Sequence, residues 1–302
     1  MNKYYTRVCN FYYGSISKKL VKQKKTLPLN GNAELSFDHV EILSRNFKKK
    51  IHINKIKKLS KFLKNKINKD IKIIIKKNKN FSSFDFKNIP NIMGILNLTP
   101  DSFSDGGKFK KKSLGYKQAA LLFRHGANIV DVGGESTRPG SKIVKTSVEW
   151  NRVCSTIKKL NKKIVLSLDT RKSEIMEKGI KAGVKLINDT SGLKYDKKSI
   201  DVLKKYNTPF VIHHIQGTPA NMQINPKYKN VLLDIYDFFE ERIKYVKLNE
   251  IKHNNIIIDP GIGFGKNLKH NMKLISNISI FHSLGFPILL GVSRKRFIKD
   301  IS

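Results

Sequence analysis

From residue 91 onward, short apolar runs alternate with longer periodic segments. The runs at 92–96, 128–132, 164–168, 185–187, 209–212, 255–258 and 286–290 have the length and β-branched content of buried strands. Segments at about 117–126, 148–160, 172–182, 198–206, 231–249 and 270–284 carry apolar residues at helical spacing. Strands alternating with amphipathic helices predict a parallel sheet. Seven such units in an α/β chain point to a (β/α)8 TIM barrel rather than an open sheet. No GxGxxG follows the first strand, which argues against a dinucleotide-binding fold. Seven strands are one short of a closed barrel. The pattern therefore predicts a barrel whose last strand–helix unit is missing, with Ser302 lying inside the seventh helix. Such a barrel leaves its first and seventh strands with unpaired edges.

Residues 1–89 follow a different pattern. A strand or hairpin is expected around Asn30 and Gly31, and Ile56, Leu59, Phe62, Leu63 and Ile67 are partly helical in spacing. Residues 71–75 read as a short strand. No catalytic motif occurs here, so the expected organisation is a basic extension or small accessory subdomain over 1–89, then the barrel over 90–302.

Charge alters this picture only slightly. The formal net charge is +37, and residues 1–89 supply +18 of it, from 23 Lys/Arg and 5 Asp/Glu. Such a balance suits a polyanionic or phosphorylated partner. Lysine outnumbers arginine 51 to 9, however, and Ile and Asn are abundant too, as in AT-rich coding. Nucleic-acid readers favour Arg with interleaved aromatics, so nucleic acid is not expected as the main partner. Cys9 and Cys154 make neither a disulfide framework nor a zinc cluster, and fit a reducing cytoplasmic setting. The N-terminus has no apolar signal core, and no run approaches the ~18 apolar residues of a membrane span.

The chemistry collects where the strands end. In order, the runs close on Asn97, Asp131, Asp169, Asn188 with Asp189, His213 with His214, and Asp259, and the seventh leads to Ser293, Arg294 and Lys295. A single Asp there is often a helix N-cap. Several converging on one barrel mouth suggest a binding site. Two motifs are set aside. GIGFGK, residues 261–266, has the wrong spacing for a P-loop and is followed by Asn267. His213 and His214 are adjacent on a strand, so at most one faces the pocket.

The motifs NLTPDSFSDGG, VDVGGESTRPGS, LSLDTR, INDTSG, HHIQGTP, DPGIGFGK and GVSRKRF occur in that order. In this the chain resembles the dihydropteroate synthases of the pterin-binding barrel family, from about Pro90 to its end. The resemblance implies condensation of a dihydropterin pyrophosphate with p-aminobenzoate, assisted by Mg2+, in a homodimer. It implies that Asp131, Asp169, Asn188, Asp259 and Lys295 hold the pterin. Thr137 and Arg138 would meet the diphosphate, and Asn97 with Asp101 the metal. Pro139, Phe264 and Ser293 would form the p-aminobenzoate pocket, and Gly217 would also line the substrate site. The chain departs from the family in lacking the Arg-x-His of the last strand and in having Ile215 where Met is usual. A folate-dependent methyltransferase and an inactive pterin binder share the barrel. ESTRPGS and SRK, which would serve diphosphate and p-aminobenzoate, argue against the methyltransferase.

Overall fold

The computed structural model describes residues 3–77, 90–99 and 113–299. By internal contacts the chain forms two units. The first comprises Met1–Lys79, Lys227–Glu240 and Leu268–Ile288; the second comprises Asn80–Pro226, Glu241–Asn267 and Leu289–Ser302.

The first unit is built on an antiparallel sheet. Strand β1 (Tyr5–Tyr13) pairs along one side of the long β3 (Asn32–Leu43); β2 (Leu27–Leu29) and β4 (Lys48–His52) share the other side. The expected hairpin is present between β2 and β3. Asn30 and Gly31 both take positive φ, 50° and 71°, which a tight two-residue turn requires. Helix α1 (Gly14–Lys22) follows β1, and α2 (Lys61–Ile74) follows a 3-10 turn at Ile53–Lys58. The short strand expected at 71–75 is instead the end of α2. Ile67, Ile71 and Ile74 recur at helical spacing and are buried in a core with Val8, Phe37, Val40 and Ile42. An apolar run of that length is ambiguous between strand and helix until its partners are known.

The second unit carries the parallel sheet. Its strands are β5 (Met93–Asn97), β6 (Ile129–Gly133), β7 (Leu166–Asp169), β8 (Leu186–Asp189), β9 (Phe210–His213) and β10 (Ile256–Asp259). Each pairs with the next in sequence, in the order of a TIM barrel. The connecting helices are α3 (Ser113–Arg124), α4 (Thr146–Leu160), α5 (Ser173–Lys181), α6 (Ser199–Tyr206) and α7 (Val231–Leu248).

Two expectations need correction. The strand expected at 286–290 reduces to a bridge at Ile288 and one bond from the Leu289 amide to the Ile258 carbonyl, 2.9 Å. Pro287 has no N–H to offer a ladder. The helix expected over 270–284 is split into α8 (Leu268–Ser276) and a 3-10 segment, Ile278–Leu284. The Asn277 side chain donates to the Lys273 carbonyl, 2.8 Å, and so competes with the helical ladder. A short α9 (Arg296–Lys299) ends the described chain.

The strands of the second unit are two-sided, and this positions the site. Residues two apart share a face. Ile129, Leu186, Val211 and Ile257 form one apolar cluster joined by Met93, Val165 and Leu289. Two residues further along the same strands come Asp131, Asn188, His213 and Asp259. A greasy layer thus lies beneath a polar one, and the polar one is at the C-terminal ends where barrel enzymes work.

Candidate active site

Asp131 is the third residue of β6, which runs on two residues past it to Gly133. The carboxylate is buried, 2 % exposed, and opposite Ser167 of β7 in register. Its Oδ2 accepts from the Asn188 amide at 2.8 Å. Its Oδ1 and the Asn188 Oδ1 accept no well-formed hydrogen bond among the described residues, although the Ser167 hydroxyl opposite helps hold the Asp131 carboxyl down against burial. Buried acceptors left open are costly, and a ligand with donors along its edge would satisfy them. Asp169 ends β7 opposite Asn188. Burial pushes the Asp169 carboxyl well up, and the nearby negative charge of Asp131 adds to the push.

Asp259 ends β10 opposite His213 and accepts from the Gly261 amide, 2.7 Å. Burial raises its pKa to about 6, opposed by the Lys295 and Lys266 charges. The Lys295 ammonium lies 4.2 Å from the centre of the Phe264 ring, a cation–π contact. Burial lowers its pKa, against Asp259 and Asp169. Phe264 in turn sets its ring edge-on to His213 at 4.5 Å. This joins Asp259, His213, Phe264 and Lys295 around one side of the strand ends.

On the other side, β5, β6 and β7 bring Asn97, Gly133 and Asp169 into one row. A side chain at Gly133 would begin 3.1 Å from the Asn97 Oδ1 and 3.5 Å from the Asp169 Oδ2. The missing Cβ leaves a small cradle faced by two hard oxygen donors. That donor set suits Mg2+, which takes few protein ligands and completes its shell with water and phosphate oxygens. No group of three or more His, Cys, Asp or Glu among the described residues is arranged to hold a metal alone. Asp101 lies outside the described residues.

Thr137, Arg138 and Pro139 stand on the loop over 135–145, where Arg138 and Pro139 are exposed and Thr137 is half-buried. The loop meets the segment after β9 through a bond from the Gly140 amide to the Pro219 carbonyl, 3.1 Å. Gly217 in that segment has φ 76°, and a side chain there would begin 2.6 Å from the Asn221 Oδ1. Ser293 is exposed, next to Arg294 with φ 54°. Asp131, Asp169, Asn188, Asp259, Phe264, Lys295 and Asn97 therefore gather at the strand ends, and Thr137, Arg138, Pro139 and Ser293 stand on loops.

Two groups escaped the sequence reading. Lys266, in the discounted GIGFGK segment, is buried and donates to the Phe264 carbonyl and to the His214 Nδ1, both 2.9 Å. Burial brings its pKa to about 7. The second is an ionic cluster of Glu135, Glu149, Arg171 and Lys172. Burial would raise Glu135, yet Lys172 and the Val144 amide hold its carboxyl below the ordinary range. Arg171-Lys172 two and three residues after the strand-end Asp169, with Glu135 two residues after Gly133, was the available signal.

A pterin-binding-enzyme family model matches residues 93–302. The dihydropteroate synthase of Clostridium beijerinckii is 46% identical over 209 residues, covering 68% of this chain and 75% of that protein. The chain belongs to the dihydropteroate synthase family. The Escherichia coli K12 dihydropteroate synthase is 39% identical over 214 residues, covering 70% of this chain and 76% of its own length. The Yersinia pestis dihydropteroate synthase, solved with a sulfonamide drug complex, superposes with a TM-score of 0.67 at 38% identity, covering 70% of this chain and 78% of that one. The Xanthomonas albilineans dihydropteroate synthase in complex with 7,8-dihydropteroate gives 0.62 at 33% identity, covering 70% and 76%. The Asp131 and Asn188 side chains lie at strand ends within the matched residues 93–302. No helix among the described residues is long and apolar enough to cross a membrane.

Proposed function

We propose that this chain condenses a 6-hydroxymethyl-7,8-dihydropterin pyrophosphate with p-aminobenzoate to give dihydropteroate and pyrophosphate. The observation that carries this reading is the buried Asp131–Asn188 pair, with an open acceptor on each side chain facing the strand ends of a pterin-binding-enzyme barrel. The donors along a dihydropterin's edge complement those acceptors. Asp259 and Asp169 add carboxylates for ring N–H groups, and the Lys295 ammonium donates to a ring acceptor.

The reaction breaks the C–O bond between the pterin methylene and the diphosphate, and the diphosphate leaves with the electron pair. The pterin ring stabilises the cation left behind. The aniline nitrogen of p-aminobenzoate then forms the new C–N bond and loses a proton. No protein nucleophile is required. The residues stabilise developing charge and fix geometry, and these two effects can lower the barrier furthest at such a site. Arg138 and Thr137 neutralise the departing diphosphate. Asn97 with Asp101 would hold Mg2+, which supplies charge stabilisation at the phosphate oxygens when bound. Pro139 and Phe264 border the p-aminobenzoate, with the Ser293 hydroxyl toward its carboxylate, and Gly217 lines the substrate site.

Residues 1–89 are proposed as an accessory unit, and the catalytic barrel as 90–302. The working form is proposed as a cytoplasmic homodimer, a location supported by the two unpaired thiols. Light scattering of the purified chain tests the dimer, and a monomer across the micromolar range would refute it. The activity test is release of pyrophosphate from dihydropterin pyrophosphate with Mg2+ and p-aminobenzoate. Release that depends on p-aminobenzoate and is blocked by a sulfonamide supports the reading. Corrinoid-dependent methyl transfer from a folate, with no pyrophosphate released, would favour the methyltransferase instead.

A further inference from the structure

The loop over 135–145 has no helix or strand, yet it is fixed at both ends by a single side chain. The Lys172 ammonium donates to the Glu135 Oε2 at 2.5 Å, the Val144 carbonyl at 2.7 Å and the Glu149 Oε2 at 2.6 Å. Glu135 opens the loop, Val144 lies near its close, and Glu149 is in the first turn of α4. All three N–H bonds of the ammonium are used. Glu135 is equally complete. Its Oε1 accepts twice from Arg171, at 3.0 and 2.7 Å, and its Oε2 also accepts from the Val144 amide at 3.1 Å. The other Glu149 oxygen accepts from the Thr170 hydroxyl, 2.6 Å. Arg171 stacks on the Tyr195 ring, 4.1 Å away.

The Lys172 ammonium and both oxygens of each carboxylate find their partners within the cluster, so it is built to hold structure. Glu135, Glu149 and Lys172 are buried, so the cluster is also expensive to assemble unless geometry repays it. Its members reveal where that geometry matters. Thr170, Arg171 and Lys172 directly follow Asp169, which faces the strand ends. Glu135 and Val144 bracket Thr137, Arg138 and Pro139. One four-residue stretch therefore carries a site carboxylate and the clamp on the neighbouring loop.

We propose that Lys172 and Glu135 are positioning residues that hold Arg138 at a fixed reach from Asp169, so that the guanidinium meets the diphosphate as it departs. This inference rests on the diphosphate role proposed above for Arg138. A loop pinned at both ends loses little entropy when Arg138 engages, and misplacement by an ångström at such a group costs rate rather than fold. The clamp acts on turnover, and pterin binding at the strand ends is left nearly untouched.

The test combines hydrogen exchange with a double-mutant cycle on the full chain. In K172M, exchange at the Val144 amide and across 136–145 is expected to rise about tenfold, with peptides from β6 to β10 unchanged. In the pyrophosphate-release assay K172M is expected to lower kcat about tenfold, while the affinity for a pterin without diphosphate changes less than about twofold. Because Lys172 acts through Arg138, adding K172M to R138A should cost less than about twofold more. An equal loss from K172M with and without Arg138, or unchanged exchange at Val144, would overturn the proposal. If K172M does not fold, E135Q is carried through the same measurements, since it keeps the side-chain shape and leaves Arg171 and Glu149 in place. A wild-type chain that releases no pyrophosphate would refute the proposed reaction alone, and the exchange arm would still decide the clamp.

Discussion

At the residue scale, the buried Asp259 carboxyl costs the fold stability. Its carboxyl rises from 3.8 to about 6 on folding because burial penalises the charge. A carboxyl raised in the folded state gives stability that is full below its unfolded pKa and is lost as pH climbs through about 6. Asp259→Asn removes that penalty. The variant is expected to match the wild type near pH 4 and to exceed it by about 2–3 kcal/mol above pH 7 in chemical denaturation. It is also expected to lose pterin affinity by calorimetry, as the amide replaces one acceptor oxygen with an NH2 donor and carries no negative charge. A pH-independent stability difference would show that Asp259 titrates normally. Arg138→Ala is expected to slow pyrophosphate release about tenfold or more while pterin affinity stays within about threefold. Equal losses would make it a ground-state contact. Asp259 stood out in the sequence as a polar group closing an apolar run, whereas Arg138 was singled out only through the family resemblance carried by ESTRPGS. Lys266 escaped both routes. A lysine in a glycine-rich loop looks solvated, and only the fold shows that it reaches the Phe264 carbonyl and the backbone and ring of His214.

At the element scale, strand alternation separates binding from support. Ile129, Leu186, Val211 and Ile257 pack together, and the residue two further on in each of those strands is polar. Strand existence and order could be read from the runs, and most boundaries fall within two residues. The failures have local causes. Pro287 thins the seventh strand, Asn277 cuts a helix, and 71–75 continues α2 because Ile71 and Ile74 face a core that sequence periodicity alone cannot reveal. Strand β1 was also missed, since its half-polar composition hides a strand whose buried face includes Tyr5 and Val8. Ile74 is fully buried in that core. Ile74→Ala is therefore expected to cost about 2–5 kcal/mol, read as earlier thermal unfolding of the first unit, with little effect on kcat. A midpoint shift below about 1 °C would mean that α2 does not stabilise that unit.

At the scale of the whole molecule, charge bears on encounter more than on fold. A chain of net charge +37 attracts a diphosphate ester over long range, and salt screens that attraction. Raising the ionic strength from about 0.05 to 0.5 M should lower kcat/KM for the pterin pyrophosphate several-fold and leave the affinity for an uncharged pterin nearly constant. Parallel losses would place the lysines outside the path of the substrate. The same reasoning explains why composition was a poor guide to function here, since 51 lysines spread over the chain say little about any one site.

The first strand of the parallel sheet has a consequence of its own. β5 bonds to β6 along one side, and among the described residues no strand lines its other side. Ile95, in the middle of β5, is 57% exposed, and Ile92 just before it is similarly bare. Among the described residues, this edge, with exposed isoleucines near it, offers a template for one more strand from any segment able to supply it. In a concentrated preparation the readiest donor is another molecule of the same protein. Handling this protein well then becomes a matter of dilution, because sheet extension is second order in protein and catalysis is not.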